Sequence, residues 1–202
     1  MSETPKKDND TLHEKVALRL TALHLVDQPV IMETHGGLGE IWQACYYRFP
    51  TGIVFEKDKT RAAALALQRS TWAVYEANCI QALEYGAGSH LPVNFVDVDP
   101  YGEAWTTIEA FMMSARPRPD RIVFVVNDGL RNRIKLGRAW KTGVLLPFVE
   151  KYGNDLHDIY LELCQEKMRD VGEAAAYRLA QFQGYYCGDE GKMTHYLAVY
   201  ER

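Results

Sequence analysis

Apolar residues recur along this chain in two alternating styles, helical spacing and short unbroken runs. Leu12, Val16, Leu20 and Leu23 are spaced as one face of a helix, with Glu14, Lys15 and Arg19 between them. They predict an amphipathic helix laid on the domain before its sheet begins. After Pro29, residues 30–32 form an apolar run bounded by turn residues, the pattern of a strand buried on both faces of a parallel sheet. A turn containing Gly36, Gly37 and Gly39 follows, then a short apolar helix over 41–47 closed by Pro50 and Gly52. The alternation then repeats. Strands are predicted over 52–56, 71–76, 93–98 and 121–127, rich in β-branched and aromatic residues. Helices are predicted between them over 60–68, 79–85 and 103–114, the last with Trp105, Ile108, Phe111 and Met112 on one face.

Past residue 128 the alternation breaks. Residues 130–141 are basic, and 144–149 are apolar but interrupted by Pro147. Leu156, Ile159, Tyr160, Leu163, Cys164 and Met168 mark a longer helix with acids on its other face. The chain ends in a predicted hairpin, 180–187 and 193–200, turning at Gly188-Asp189-Glu190-Gly191. Five strand–helix alternations and a hairpin predict an α/β fold with a mostly parallel sheet and an antiparallel C-terminal pair. In such sheets ligands bind beyond the carboxyl ends of the strands, near the point where strand order reverses. The loops after the first four strands are therefore where chemistry is expected.

Composition narrows this picture. The 202 residues are 47% hydrophobic and 25% charged, enough for one domain with a full core. Residues 1–10 are polar and read as a flexible tail, with 11–202 as a single domain. No apolar run approaches the ~18 residues of a membrane span. Four cysteines lie far apart, without CxxC pairs, so no metal site is suggested. Cys45, Cys79 and Cys164 read as buried thiols in a reducing cytoplasm. A net charge of −4 argues against a generally basic nucleic-acid binder and leaves room for a local basic patch.

Two acids frame the glycine turn. Glu33 ends the first strand and Glu56 the second, and Glu56 falls about 20 residues past the turn, where a carboxylate reaches ribose hydroxyls. The plain alternative is a tight turn and a surface glutamate. Together the two features indicate a nucleoside-containing cofactor, lying where the helix from Glu40 presents its positive end. A dinucleotide fingerprint requires a third glycine where Trp42 stands, and a phosphate loop requires the absent Gly-Lys-Ser/Thr.

These residues resemble the class I S-adenosylmethionine-dependent methyltransferases. Glu33, His35, Gly37 and Gly39 occupy the register of that family's first motif, with His35 where glycine is usual. Glu56 matches its ribose-binding acid and Asn78 the polar residue that contacts adenine. The resemblance covers most of the chain and implies a Rossmann-like, seven-stranded sheet with helices on both faces. A second motif, Asp97-Val98-Asp99-Pro100-Tyr101-Gly102, resembles the Asp/Asn-Pro-Pro-Tyr/Phe motif of enzymes that methylate exocyclic amino groups. It is closer still to the Asp-Pro-Phe-Gly form of the tRNA guanine-amino methyltransferases. Asp-Pro and Gly are also ordinary turn residues.

The resemblance implies a division of labour. Asp99 and the Pro100 carbonyl would accept the hydrogens of a base amino group, whose lone pair is otherwise delocalised, and Tyr101 would stack on the base. Asp97 would face the methionine end of the cofactor or cap its strand. Arg131, Arg133, Lys135, Arg138 and Lys141, with Trp140 among them, would track a phosphate backbone or form a solvated helix face. Asn127-Asp128-Gly129 reads as a helix-start turn or a rim of the substrate site. The other histidines, His195 included, read as surface or satisfied polar residues. The expected activity is methylation of a nucleobase amino group, RNA ahead of DNA, with a homodimer or targeting partner supplying what a short chain lacks. The rivals are methylation of a small molecule or protein side chain, a non-catalytic binding module, and a nicotinamide-dependent oxidoreductase.

Overall fold

The computed structural model describes residues 11–202; the expected tail over 1–10 lies outside the described residues. Seven strands form one sheet: β1 (Ile31–Glu33), β2 (Gly52–Glu56), β3 (Ala73–Glu76), β4 (Phe95–Val98), β5 (Arg121–Asp128), β6 (Arg178–Cys187) and β7 (Met193–Glu201). Their order is β3-β2-β1-β4-β5-β7-β6. The first five are parallel, and β7 runs antiparallel to both β5 and β6. Strand order reverses between β1 and β4, so the loops after these two strands flank the crevice where such sheets bind ligands. The expected α/β architecture, Rossmann-like with a terminal hairpin, is the observed one.

Helices cover both faces. α1 (Leu12–Leu23), α2 (Lys59–Gln68) and a π-helical turn, Trp42–Tyr46, pack with Ile31, Val54, Phe95, Val123, Val125, Leu197 and Val199. On the other face, α3 (Cys79–Glu84), α4 (Trp105–Met113) and α7 (Tyr160–Ala174) bury Met32, Phe55, Val96, Phe124 and Tyr200. The central strands β1, β2, β4 and β5 are buried on successive residues because both of their faces are covered.

Two segments depart from expectation, and a third, to which the pattern assigned no element, takes a definite form. The helix predicted over 41–47 is a π-helical turn, which places Cys45 and Tyr46 inward together. The apolar stretch around Pro147 is helical: the proline occupies the first turn of α6 (Leu146–Tyr152), where its missing N–H costs no bond. In α1 the buried stripe is Leu18, Arg19, Ala22 and Leu23, whereas Leu20 is 40% exposed. A charged residue therefore sits on the inner face where the spacing placed a leucine. Among the described residues no helix is long and apolar enough to cross a membrane.

Candidate functional site

The loop after β1 is built around its glycines. A Cβ at Gly36 would lie 2.5 Å from Leu65 and 2.6 Å from Val54, so only glycine lets the backbone pass under α2. Gly36 N–H donates to the Phe55 carbonyl (2.9 Å), stitching the loop to β2. Gly37 adopts φ +55°, and nothing lies within 4 Å of where its side chain would begin, which leaves its outer side open. Glu56, at the end of β2, holds this loop. Its carboxylate accepts Gly37 N–H (2.8 Å) on one oxygen and Asp58 N–H (2.9 Å) on the other.

His35 lies inside the loop, half-buried. The Thr34 hydroxyl donates to the Asp97 carbonyl (3.1 Å), so it must accept the hydrogen of His35 Nδ1 at 2.9 Å. Nε2 is then the acceptor facing the Cys79 thiol at 3.7 Å. Burial lowers the imidazole's pKa, so it stands as a neutral latch between β1 and α3. Asn78 caps α3, its Oδ1 accepting Ile80 N–H (3.0 Å) and Gln81 N–H (3.3 Å), and its side chain is exposed at the end of β3.

The acids of β1 and β4 are answered by cations no motif announced. Glu33 and Asp97 are register partners on the α1 face. Glu33 pairs with Arg69, whose guanidinium lies over the rings of Trp42 (5.1 Å) and Trp72 (5.3 Å). Burial pushes the Glu33 carboxyl up to about 8, with Arg69 opposing. Asp97 takes a two-pronged contact from Arg19 (2.7 and 2.6 Å) and the Tyr46 hydroxyl (2.7 Å). Burial opposes the charge on Arg19, and the carboxylates of Asp97 and Asp99 more than offset it. Both Asp97 oxygens are taken up in this sealed ionic joint, by Arg19 of α1 and, on one of them, by Tyr46 of the π-helical turn.

Asp99 stands one pleat further out, 23% exposed, and receives Lys15 Nζ on both oxygens (3.0 and 2.9 Å). Burial would raise this carboxyl, but Lys15, then Arg19, and Asn127 hold it below its usual range. Pro100 and Tyr101 follow, and Tyr101 is wholly exposed. The loop closes through Gly129 N–H donating to the Gly102 carbonyl (2.9 Å), which joins it to the start of α5 (Leu130–Lys135). Asn127 and its register partner His195 complete this outer row, both fully buried.

Asp128 makes the helix-start turn, accepting Leu130 N–H (2.7 Å) and the Tyr160 hydroxyl (2.9 Å). Burial pushes its carboxyl up from 3.8 to about 7. The folded chain therefore keeps a proton that the unfolded chain releases, and stability should fall as pH rises from about 4 to 7. Asp128→Asn should flatten this part of the slope and gain at most about 4 kcal/mol above pH 7, less the cost of reversing the Tyr160 bond. Urea midpoints at pH 5 and pH 8 check it; an undiminished slope in the variant would count against a protonated Asp128.

The basic segment divides. Arg131 is buried, donating to the carbonyls of His157 (3.2 Å) and Gly191 and lying 3.6 Å over the Tyr186 ring. It pins α5 to the hairpin turn and does not form the solvent-facing phosphate contact expected of it. Lys135 pairs with Glu190 across the same turn. Arg133, Arg138 and Lys141 remain exposed, with Trp140 67% exposed between the last two.

No protein-family model and no curated protein sequence matches the chain. Similarity appears in solved structures. One is Trm1 from Pyrococcus horikoshii in complex with S-adenosyl-L-methionine: TM-score 0.69, 10% identity, 100% of this chain and 58% of that one. A second is TYW2 from M. jannaschii with AdoMet: 0.62, 12% identity, 98% and 78%. A third is the N-methyltransferase NodS from Bradyrhizobium japonicum with S-adenosyl-L-homocysteine: 0.58, 10% identity, 100% and 93%. The chain thus spans less than two thirds of Trm1. What these proteins share with the chain is the seven-stranded, Rossmann-like fold of methyltransferases.

Proposed function

We propose that this protein is an S-adenosylmethionine-dependent methyltransferase that acts on an exocyclic amino group of a nucleobase in RNA or DNA. One observation carries the reading. The glycine loop held by Glu56 and the Asp99-Pro100-Tyr101 loop stand side by side across the point where strand order reverses. That is the crevice such sheets use for ligands. Three neighbours of the same fold hold this cofactor or its product, and one is an N-methyltransferase.

The loop fits the cofactor. Gly37 leaves its outer side open, and Glu56, with lone pairs beyond those used by Gly37 and Asp58, is an acceptor for ribose hydroxyls. Asn78, its carbonyl committed to the cap, has an amide N–H₂ for the adenine edge. Bound there, the cofactor supplies a methyl group on a positively charged sulfur. The chain's own residues prepare the acceptor. Asp99, held ionised by Lys15 and Arg19, accepts one amine hydrogen and the Pro100 carbonyl accepts the other, turning the nitrogen lone pair out of conjugation. Tyr101 offers an exposed ring to the base. Exposed Arg133, Arg138 and Lys141 are placed for phosphates, with Trp140 for a flanking base.

Calorimetric titration with S-adenosylmethionine and, separately, with NAD tests the cofactor. Binding of the first alone is expected, and binding of neither would withdraw the catalytic reading. Glu56→Ala should weaken S-adenosylmethionine binding roughly ten- to a hundredfold, the worth of hydrogen bonds to a charged group. Unchanged affinity in that variant would remove the ribose role.

A further inference from the structure

Lys15 comes from the first helix, yet its ammonium lies 3.0 and 2.9 Å from the two oxygens of Asp99 at the carboxyl end of the fourth strand. It is only 12% exposed. An ammonium has three hydrogens, and a carboxylate offers about four lone-pair directions. The pair therefore retains one donor and unused acceptor directions for an arriving group. Arg19 Nη2 stands 3.7 Å from the same carboxylate. The three acids of this face, Glu33, Asp97 and Asp99, are matched by Arg69, Arg19 and Lys15.

We infer that Lys15 determines which amine is accepted: it admits a neutral amine conjugated to a hydrogen-bond acceptor and turns away a cationic aliphatic amine. The inference rests on the proposed methylation at Asp99. A nucleobase amino group donates to Asp99 while the ring nitrogen or carbonyl beside it accepts from Lys15. A lysine side chain or polyamine brings a second positive charge to a site whose acids are already paired, and has no acceptor atom for Lys15. Lys15 is thus a specificity residue, and through Asp99 a positioning one.

The pH profile separates this role from mere support of the fold. Asp99 is faced by Lys15 and Arg19 from α1, Asn127 from β5, His195 from β7 and His35 from the first loop. His195 is pushed down to about 4 by burial, then by Lys15 and Arg19, and His35 is lowered by burial, so both stay neutral near pH 7. Removing Lys15 should raise the Asp99 carboxyl.

The experiment compares wild type, Lys15→Met and Lys15→Arg in methyl transfer to a total RNA pool and to a polylysine peptide. Alongside it, the Asp99 carboxyl carbon is titrated by NMR without any acceptor. Expected are transfer to RNA and not to polylysine, a loss of at least tenfold in kcat/KM with an upward-shifted acid limb in Lys15→Met, and partial rescue in Lys15→Arg. A wild type active on RNA whose Lys15→Met variant keeps both kcat/KM and acid limb overturns the inference alone. Transfer to polylysine instead of RNA overturns it together with the base reading. Where no transfer to either, nor to a DNA pool assayed in parallel, is seen, the base reading fails, and an unshifted Asp99 titration in Lys15→Met overturns the role of Lys15 as well.

Discussion

Arg19→Met should destabilise the protein by about 3–5 kcal/mol, the cost of stripping one partner from a buried ion pair. In melting temperature that is roughly 6–20 °C for a chain of this size. Arg19 is wholly buried and satisfies both oxygens of Asp97, and methionine fills similar volume without a donor. Asp97 would keep only the Tyr46 hydroxyl. The size of the loss reflects the stranded carboxylate more than the worth of the pair. Pairing Arg19→Met with Asp97→Leu should therefore return most of it, less the cost of the unsatisfied Tyr46 hydroxyl. A single variant melting within about 2 °C of the parent would mean that the joint adds nothing to stability.

Tyr101→Ala should leave folding untouched and reduce methyl transfer roughly a hundredfold or more. The side chain is wholly exposed, so nothing in the core loses a neighbour. Stacking on a base is worth about 1–3 kcal/mol, and a misplaced reacting group costs further orders of magnitude in rate. Tyr101→Phe keeps the ring and should keep most of the rate. Affinity for S-adenosylmethionine, measured by calorimetry, should be unchanged in both. Normal turnover in the alanine variant would sink the stacking role.

What the sequence discloses about this molecule follows the range of the interactions involved. The strand–helix alternation, the glycine turn and the hairpin are local patterns, and each was legible from period, punctuation and turn residues. The place of Glu56 at the end of the second strand was legible because its distance from the glycine turn is set by one helix and one strand. Arg19 and Lys15 were not, since their partners Asp97 and Asp99 lie far along the chain. A signal was present nonetheless. Leu12, Val16 and Leu23 define a face on which Arg19 also falls, and three acids in or beside buried strands require cations from somewhere. Arg131 misled for a related reason. Composition marks a basic run, but only packing decides which member turns inward, and the hairpin turn that captures it comes 60 residues later. His195 was hidden in an apolar strand whose register alone sets it beside Asn127.

The place of β7 has a consequence for how the protein is made. It is last in chain order but lies between β5 and β6 in the sheet, and its residues Leu197 and Val199 bury against the same cluster as Leu18 and Ala22 of α1. α1 leaves the ribosome well before β7 and thus waits for it, and until then β5 offers an open edge whose centre, residues 122–126, is apolar. Such distant pairing is slow and exposes nascent chains to association. It also makes the acceptor site a product of completed folding. Lys15, Asp99 and His195 come from the beginning, middle and end of the chain, so no partly synthesised form can assemble them.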